Sequence, residues 1–317
     1  MKVIKRREFL GGICALGSVA LPGCRMFTGA DADYDDRLSV FLSDLHLRAD
    51  SYQERLFAGI VAEVLRLDPL PRRAVVFGDI AYQSGEPVDY RASAPYFKQL
   101  NDAGIDVVFG MGNHDRRSGF WEVHPECRER NLLPGKVVMS ISGPDADIVM
   151  LDGLQGADDR PALDMGPVPG AFDAKMCDWV RAHLPKWKRP VFVASHYPIE
   201  ELFADPSKKE PLGKFLIDNC PNVRGYIHGH SHRWQDGWAQ SDWRTKKVLR
   251  TLCLPSTGHW GDIGYAIFTA EPGQAELRLV QDDYFFPSPL PEEKAPRLWK
   301  KIVDEHRNGA VHWEWQA

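Results

Sequence analysis

Asp44, His46, Asp79, Asn113, His114, His196, His230 and His232 stand in five short clusters, each just past the end of an apolar run. Their donor atoms are oxygens and imidazole nitrogens with no thiolate among them, a set that suits Zn, Mn, Fe, Co or Ni rather than Cu(I) or an iron–sulfur cluster. The clusters hold enough donors for two metals, and a carboxylate such as Asp79 could bridge them. Any one of these residues alone would read as a cap, a turn residue or a satisfied buried polar group. It is their recurrence at the ends of apolar runs that makes them a candidate site.

The elements that must position them follow from periodicity. Residues 38–42 form a short apolar strand that stops at Ser43-Asp44-Leu45-His46. Ser51 and Glu54 make a capping box for a helix whose stripe is Phe57, Ile60, Val61, Val64 and Leu65. Strands are expected at 74–77, ending in Gly78-Asp79, and at 105–109, ending in Gly112-Asn113-His114-Asp115. Asp173 caps a helix over 176–184, which leads to a strand at 190–194 and then Ser195-His196. A strand at 223–227 runs into His228-Gly229-His230-Ser231-His232, and strands at 248–254, 265–269 and 276–280 follow without helices between them. This is a βαβ rhythm that turns mixed or antiparallel. In an open α/β sheet, ligands gather at the carboxyl ends of the strands, so residues remote in sequence become neighbours there.

In these blocks the chain resembles the calcineurin-like metallophosphoesterases. The resemblance spans about residues 38–270 and includes Asp44-Leu45-His46, Gly78-Asp79, Gly112-Asn113-His114-Asp115, His196 and Gly229-His230-Ser231-His232 in order. It implies an α/β fold, a four-layer αββα sandwich of two mixed β-sheets with a dinuclear site at the strand ends. By motif position, Asp44, His46, Asp79 and His232 would hold one metal, and Asp79, Asn113, His196 and His230 the other. His114 corresponds to the substrate-facing histidine, with Asp115 as its orienting partner. The second block, Gly78-Asp79-Ile80-Ala81-Tyr82, also resembles the purple acid phosphatases, in which the tyrosine ligates ferric iron. That branch lacks a histidine where this chain has His46, so Tyr82 reads as a supporting or packing residue, with an iron ligand as the alternative.

The resemblance implies a hydrolase acting on phosphate esters, with two divalent or mixed-valence ions of Mn, Zn or Fe. Two such ions make a local cationic pocket that draws a phosphate anion. Ions roughly 3.5 to 4 Å apart activate a bridging water and clamp both sides of an in-line displacement at phosphorus. His114 would either stabilise developing charge or protonate the leaving oxygen. The expected substrate is a small phosphomonoester or phosphodiester. The alternatives are a purple-acid-phosphatase-like phosphomonoesterase and a catalytically silent metal- or phosphate-binding surface protein.

Composition sets the outer bounds. Of 317 residues, 44% are hydrophobic and 26% charged, which excludes a disordered or collagen-like chain. The formal charge of −5 leaves no excess of cations for a phosphate backbone and disfavours nucleic acid as a partner. Lys5-Arg6-Arg7-Glu8-Phe9-Leu10 before the uncharged run 11–23 reads as a twin-arginine-like export signal, and Leu21-Pro22-Gly23-Cys24 resembles a lipobox. The expected organisation is an export signal over 1–24, a linker over 25–37, the phosphoesterase domain over 38–286, and a linker with a last helix and tail over 287–317. The chain is thus expected in the bacterial periplasm or lipid-anchored to the envelope through Cys24. Beyond the leader, Cys127, Cys177, Cys220 and Cys253 allow three disulfide pairings or none.

Other residues admit two readings. Trp234, Trp238, Trp243 and Trp260 could form an aromatic platform or simply pack. His259 could line the pocket or sit on a surface loop. His228 is expected to point away from His230, and Asp152 to be structural.

Overall fold

The computed structural model describes residues 33–154, 172–203, 210–241, 247–285 and 309–316. The export signal, the helix expected near 298–306 and Trp243 lie outside them. In chain order the first half runs β1 (Tyr34–Leu42), α1 (Tyr52–Val64), β2 (Leu70–Val76), α2 (Pro87–Asp102), β3 (Asp106–Phe109), α3 (Arg117–Val123), β4 (Met139–Ser142) and β5 (Asp147–Leu151). The second half runs α4 (Ala174–His183), β6 (Val191–Ser195), α5 (Glu200–Phe203), α6 (Leu212–Asn219), β7 (Val223–His228), β8 (Gln235–Gln240), β9 (Val248–Cys253), β10 (Gly261–Glu271), β11 (Gln274–Phe285) and β12 (Ala310–Glu314).

These strands build two six-stranded sheets, ordered β12-β11-β10-β1-β2-β3 and β4-β5-β6-β7-β9-β8. Both are mixed. In the first, β1, β2 and β3 are parallel and β10 to β12 antiparallel. In the second, β5, β6, β7 and β9 are parallel, with β4 and β8 as antiparallel edges. Five of the parallel strands, β1, β2, β3, β6 and β7, are the ones that precede the five clusters.

Both faces of the second sheet are apolar, and alternation along its strands assigns each residue to a layer. Ile148, Met150, Phe192, Ala194 and Ile227 face the first sheet, where Phe192 meets Phe268 edge-on at 4.9 Å. Val149, Leu151, Val191, Val193 and Tyr226 face outward onto Met176, Cys177 and Val180 of α4 and Leu212 and Leu216 of α6. On the first sheet, Phe97 of α2 packs against Phe57 of α1 and Phe109 of β3. Helix, sheet, sheet and helix follow one another, giving the four-layer αββα sandwich.

Local signals account for the helix starts. Ser51 Oγ accepts the Glu54 N–H at 3.1 Å, and Asp173 Oδ1 accepts that of Met176 at 2.9 Å. The capping box is shifted by one residue, because Glu54 Oε2 takes the amide of Asp50 while Ser51 N turns to the Arg48 carbonyl. Residues 310–314 differ from the expected tail: they form β12, the edge strand of the first sheet, with Val311 and Trp313 buried against it. Cys127, Cys177, Cys220 and Cys253 are all buried, and none is in a disulfide. Among the described residues no helix is long and apolar enough to cross a membrane.

Candidate metal centre

The five clusters meet where the carboxyl ends of β1, β2 and β3 face those of β6 and β7. The first two loops run side by side, with Asp44 N donating to Gly78 O at 3.2 Å and His46 N to Asp79 O at 2.8 Å. Asp44, His46, Asp79, His230 and His232 all have φ between 46° and 70°, and Asp50 is the only other described non-glycine residue with positive φ. Asp and His tolerate this left-handed region better than most residues, yet each still costs about 1 kcal/mol or more. The cost has a use, since such a residue breaks the strand sharply and turns its side chain across the sheet edge. Gly78 (φ +92°) lies so close to the Gly112 backbone that a Cβ would fall 2.6 Å from Gly112 N. A Cβ on Gly112 would strike Oδ1 of Asp79.

Two donor sets share one carboxylate. Single ligand atoms of Asp44, His46, Asp79 and His232 lie within 4.8 Å of one another, and all four residues are buried. In the other set, Asn113 Oδ1 lies 3.0 Å from His196 Nε2 and 2.9 Å from His230 Nδ1. Asp79 Oδ2 is 3.4 Å from His46 Nε2 and 3.4 Å from His196 Nε2, equidistant between the sets.

The imidazole tautomers show what these donors await. Nδ1 of His46 meets the Tyr82 carbonyl at 3.3 Å, Nδ1 of His196 the Phe77 carbonyl at 3.0 Å, and Nδ1 of His232 the Trp260 carbonyl at 2.9 Å. A carbonyl only accepts, so each Nδ1 carries a hydrogen and each Nε2 is the atom turned inward for a metal to take. His46 Nε2 and His232 Nε2 lie 3.3 Å apart, and His232 Nε2 is also 3.1 Å from Asp44 Oδ1. The residues present fit two divalent ions.

Protonation states agree. Burial holds His46 well below the usual imidazole range, brings His196 down to about 3, and lowers His230, so all three are neutral donors. Burial raises the Asp44 carboxyl, but His232, with Nε2 3.1 Å from Oδ1, more than reverses this and keeps it ionised. Asp79 is pushed well above the carboxylate range by burial and then by Asp44 and Asp115. No Lys or Arg pairs with either carboxylate among the described ion pairs. A buried acidic pair among neutral rings calls for a cation.

His114 lies at the rim, its ring 4.6 Å from that of His46 and Nδ1 3.1 Å from the Gln83 carbonyl. Burial lowers its pKa. The expected partnership with Asp115 does not form. The Asp115 carboxylate instead accepts the N–H groups of Ile80, Ala81 and Gly112 and the Tyr90 hydroxyl, because it is buried directly behind the Asp79 loop. Asp115 thus positions Asp79, and the Gln83 carbonyl orients His114.

The remaining residues fall into place around the cluster. Four donors converge in the first set without the Tyr82 phenol, whose ring lies under the Arg48 guanidinium at 4.5 Å. His228 is buried and turned to the Gly229 carbonyl, away from the donor sets. Asp152 is structural, fully buried and bidentate to Arg117 at 2.7 and 2.9 Å. Trp234 packs in the core, Trp238 is exposed beside Arg250, and only Trp260 reaches the site, its ring 4.3 Å from His232. His259 lines the pocket, 4.2 Å from His46. The pairing of Ser256 Oγ with the Asp44 carbonyl and of Thr257 Oγ1 with that of Ser43 carries its loop there. The histidine in Ser256-Thr257-Gly258-His259 was the available signal, whereas the supporting carbonyls have no residue signature.

Comparisons place this geometry among known proteins. A family model described as calcineurin-like phosphoesterase matches residues 39–234. Among solved structures, a dimetal phosphatase from Danio rerio is similar at 15% identity and a TM-score of 0.58, covering 78% of this chain and 96% of its own. A conserved uncharacterized protein, a predicted phosphoesterase from Streptococcus pneumoniae, aligns at 13% identity and a TM-score of 0.36, covering 80% and 94%. Vacuolar Protein Sorting 29 from Cryptosporidium parvum aligns at 11% and 0.38, covering 88% and 98%. No curated protein matches the chain. The first of these structures shows a shared fold, and the family match encloses every donor from Asp44 to His232. The chain belongs to the calcineurin-like phosphoesterase family.

Proposed function

We propose that this protein hydrolyses small phosphate esters with two transition-metal ions. Asp44, His46, Asp79 and His232 would hold one ion, and Asp79, Asn113, His196 and His230 the other. The observation that carries the reading is the position of Asp79 Oδ2, equidistant at 3.4 Å from a nitrogen of each set. When bound, the two ions supply Lewis acidity and an activated water for in-line displacement at phosphorus.

The chain's own groups do the rest. The three Nδ1–H donations to carbonyls keep His46, His196 and His232 aimed inward, so no reorganisation is needed as charge develops. Asp115 braces the loop that carries Asp79. His114, its Nδ1–H held by the Gln83 carbonyl, leaves Nε2 for the ester; in the imidazolium form, which a bound phosphate anion favours, Nε2–H would stabilise charge on a phosphate oxygen or protonate the departing one. The leader around Arg6-Arg7 supports a site of action beyond the inner membrane, with Cys24 as a lipid anchor.

The test is release of a chromophore from its phosphomonoester and phosphodiester after metals are stripped and Mn, Zn or Fe restored. Metal-dependent turnover that Asp79→Asn abolishes is expected. A protein that binds metal yet turns over neither ester would sink the reading.

A further inference from the structure

His259 lies beyond the family match, which ends at 234, yet its ring packs on a proposed metal ligand. It is 4.2 Å from His46 at an interplanar angle of 33° and 5.6 Å from His232. With His114 at 4.6 Å, two non-ligand imidazoles flank His46. The loop is firmly held, since His259 N donates to Ser256 Oγ at 2.8 Å and that hydroxyl donates to the Asp44 carbonyl at 2.7 Å.

Its tautomer is the reverse of the ligands'. Nδ1 faces the Gln53 amide nitrogen at 3.3 Å and the Tyr52 hydroxyl at 3.4 Å. An amide nitrogen has only hydrogens to offer, so Nδ1 accepts and the ring proton sits on Nε2. Gln53 is buried at the start of α1, and the Tyr52 hydroxyl beside it is a second group able to donate to Nδ1. Nε2–H points away from α1 and makes no hydrogen bond among the described residues. It is a donor held beside the first donor set with no acceptor among the described residues.

The geometry points to His259 as a substrate-binding residue that donates Nε2–H to a terminal phosphate oxygen and so favours phosphomonoesters over diesters. This rests on the phosphoesterase reading above. A monoester has three terminal oxygens and a diester two, so a donor beyond the two ions and His114 finds a partner mainly in the monoester. A site built to hydrogen-bond one group discriminates against the analogue lacking it.

The test uses the full chain loaded with metal and two variants. His259→Phe keeps a ring against His46 and removes the donor, and His259→Gln restores one. Calorimetry with inorganic phosphate should show affinity about tenfold weaker in the Phe variant and within about threefold of wild type in the Gln variant, a neutral hydrogen bond's worth. Metal content should be unchanged. Nitrogen-15 spectra should show the proton of His259 on Nε2 and that of His46 on Nδ1. For kcat/KM, the Phe variant should lose about tenfold or more on the monoester and under about threefold on the diester. Wild-type phosphate affinity in the Phe variant, equal losses on both esters, a proton on Nδ1, or no phosphate binding by wild type would each overturn the proposal. Phosphate binding through His259 in a protein that turns over neither ester would remove the phosphoesterase reading, and with it the ester preference, and leave only the donation to phosphate.

Discussion

Asp79 and His114 are tied by a single hydrogen bond, in which the backbone N–H of His114 donates to Asp79 Oδ1 at 2.8 Å. One oxygen of the shared carboxylate is thereby committed to the rim, and the other is left for both donor sets. The bridging group and the substrate-facing histidine cannot move independently.

Asp79→Asn separates charge from shape. The amide oxygen can still accept from His114, but a buried carboxylate crowded by Asp44 and Asp115 is gone. Metal content should fall to one ion per chain or fewer, and turnover by at least about 10³-fold. The metal-free variant should be more stable than the metal-free wild type by about 1–3 kcal/mol at neutral pH, since a carboxyl that must take up a proton to be buried beside Asp44 has been replaced by a neutral amide. Elemental analysis and chemical denaturation check both.

His114→Ala and Asp115→Asn should part company. His114 holds no metal in this account, so its removal should leave two ions bound while kcat drops about 10²–10⁴-fold. Asp115 supports the Asp79 loop through three backbone N–H groups and the Tyr90 hydroxyl, so its amide variant should weaken metal binding about 10–100-fold. Metal titrations of the two variants measure the contrast.

Metal should stabilise the fold. The close approach of His46, His232 and Asp44 and the five left-handed residues are native features that an ion offsets. An ion at 100 times its Kd adds about 2.7 kcal/mol, or roughly 4 °C in Tm for a chain of this size. Thermal melts with chelator and with added Mn or Zn should differ by at least that much.

Arg117 and Asp152 form an ion pair with side chains 2% and 0% exposed. Arg117→Met strands the Asp152 carboxylate and should cost about 3–5 kcal/mol in a urea melt. A loss under about 1 kcal/mol would show that the pair is not a structural anchor.

Much of this was legible in the sequence because strand ends and side-chain types carry the information. The apolar runs before Asp44, Asp79, Asn113, His196 and His230 mark the parallel strands, and their residue types mark the donors. What escaped depends on backbone groups or long-range pairing. The carbonyls of Phe77, Tyr82, Gln83 and Trp260 fix tautomers but belong to residues of no particular type. Asp115 follows His114 directly, so adjacency suggested a partnership that burial behind the Asp79 loop redirects. Residues 310–314 follow a Pro-rich stretch and read as tail, yet alternation of Val311 and Trp313 with polar neighbours suits an edge strand on β11. His259 became a site residue only through the pairing of Ser256 and Thr257 with the Asp44 loop, a contact across more than two hundred residues.

The most direct measurement is turnover followed as metal is titrated into the stripped protein, with bound ions per chain counted at each point. Two ions should bind, and hydrolysis of a phosphate ester should rise with the second. Saturation at one ion, or two bound ions without turnover of either a monoester or a diester, would contradict the account.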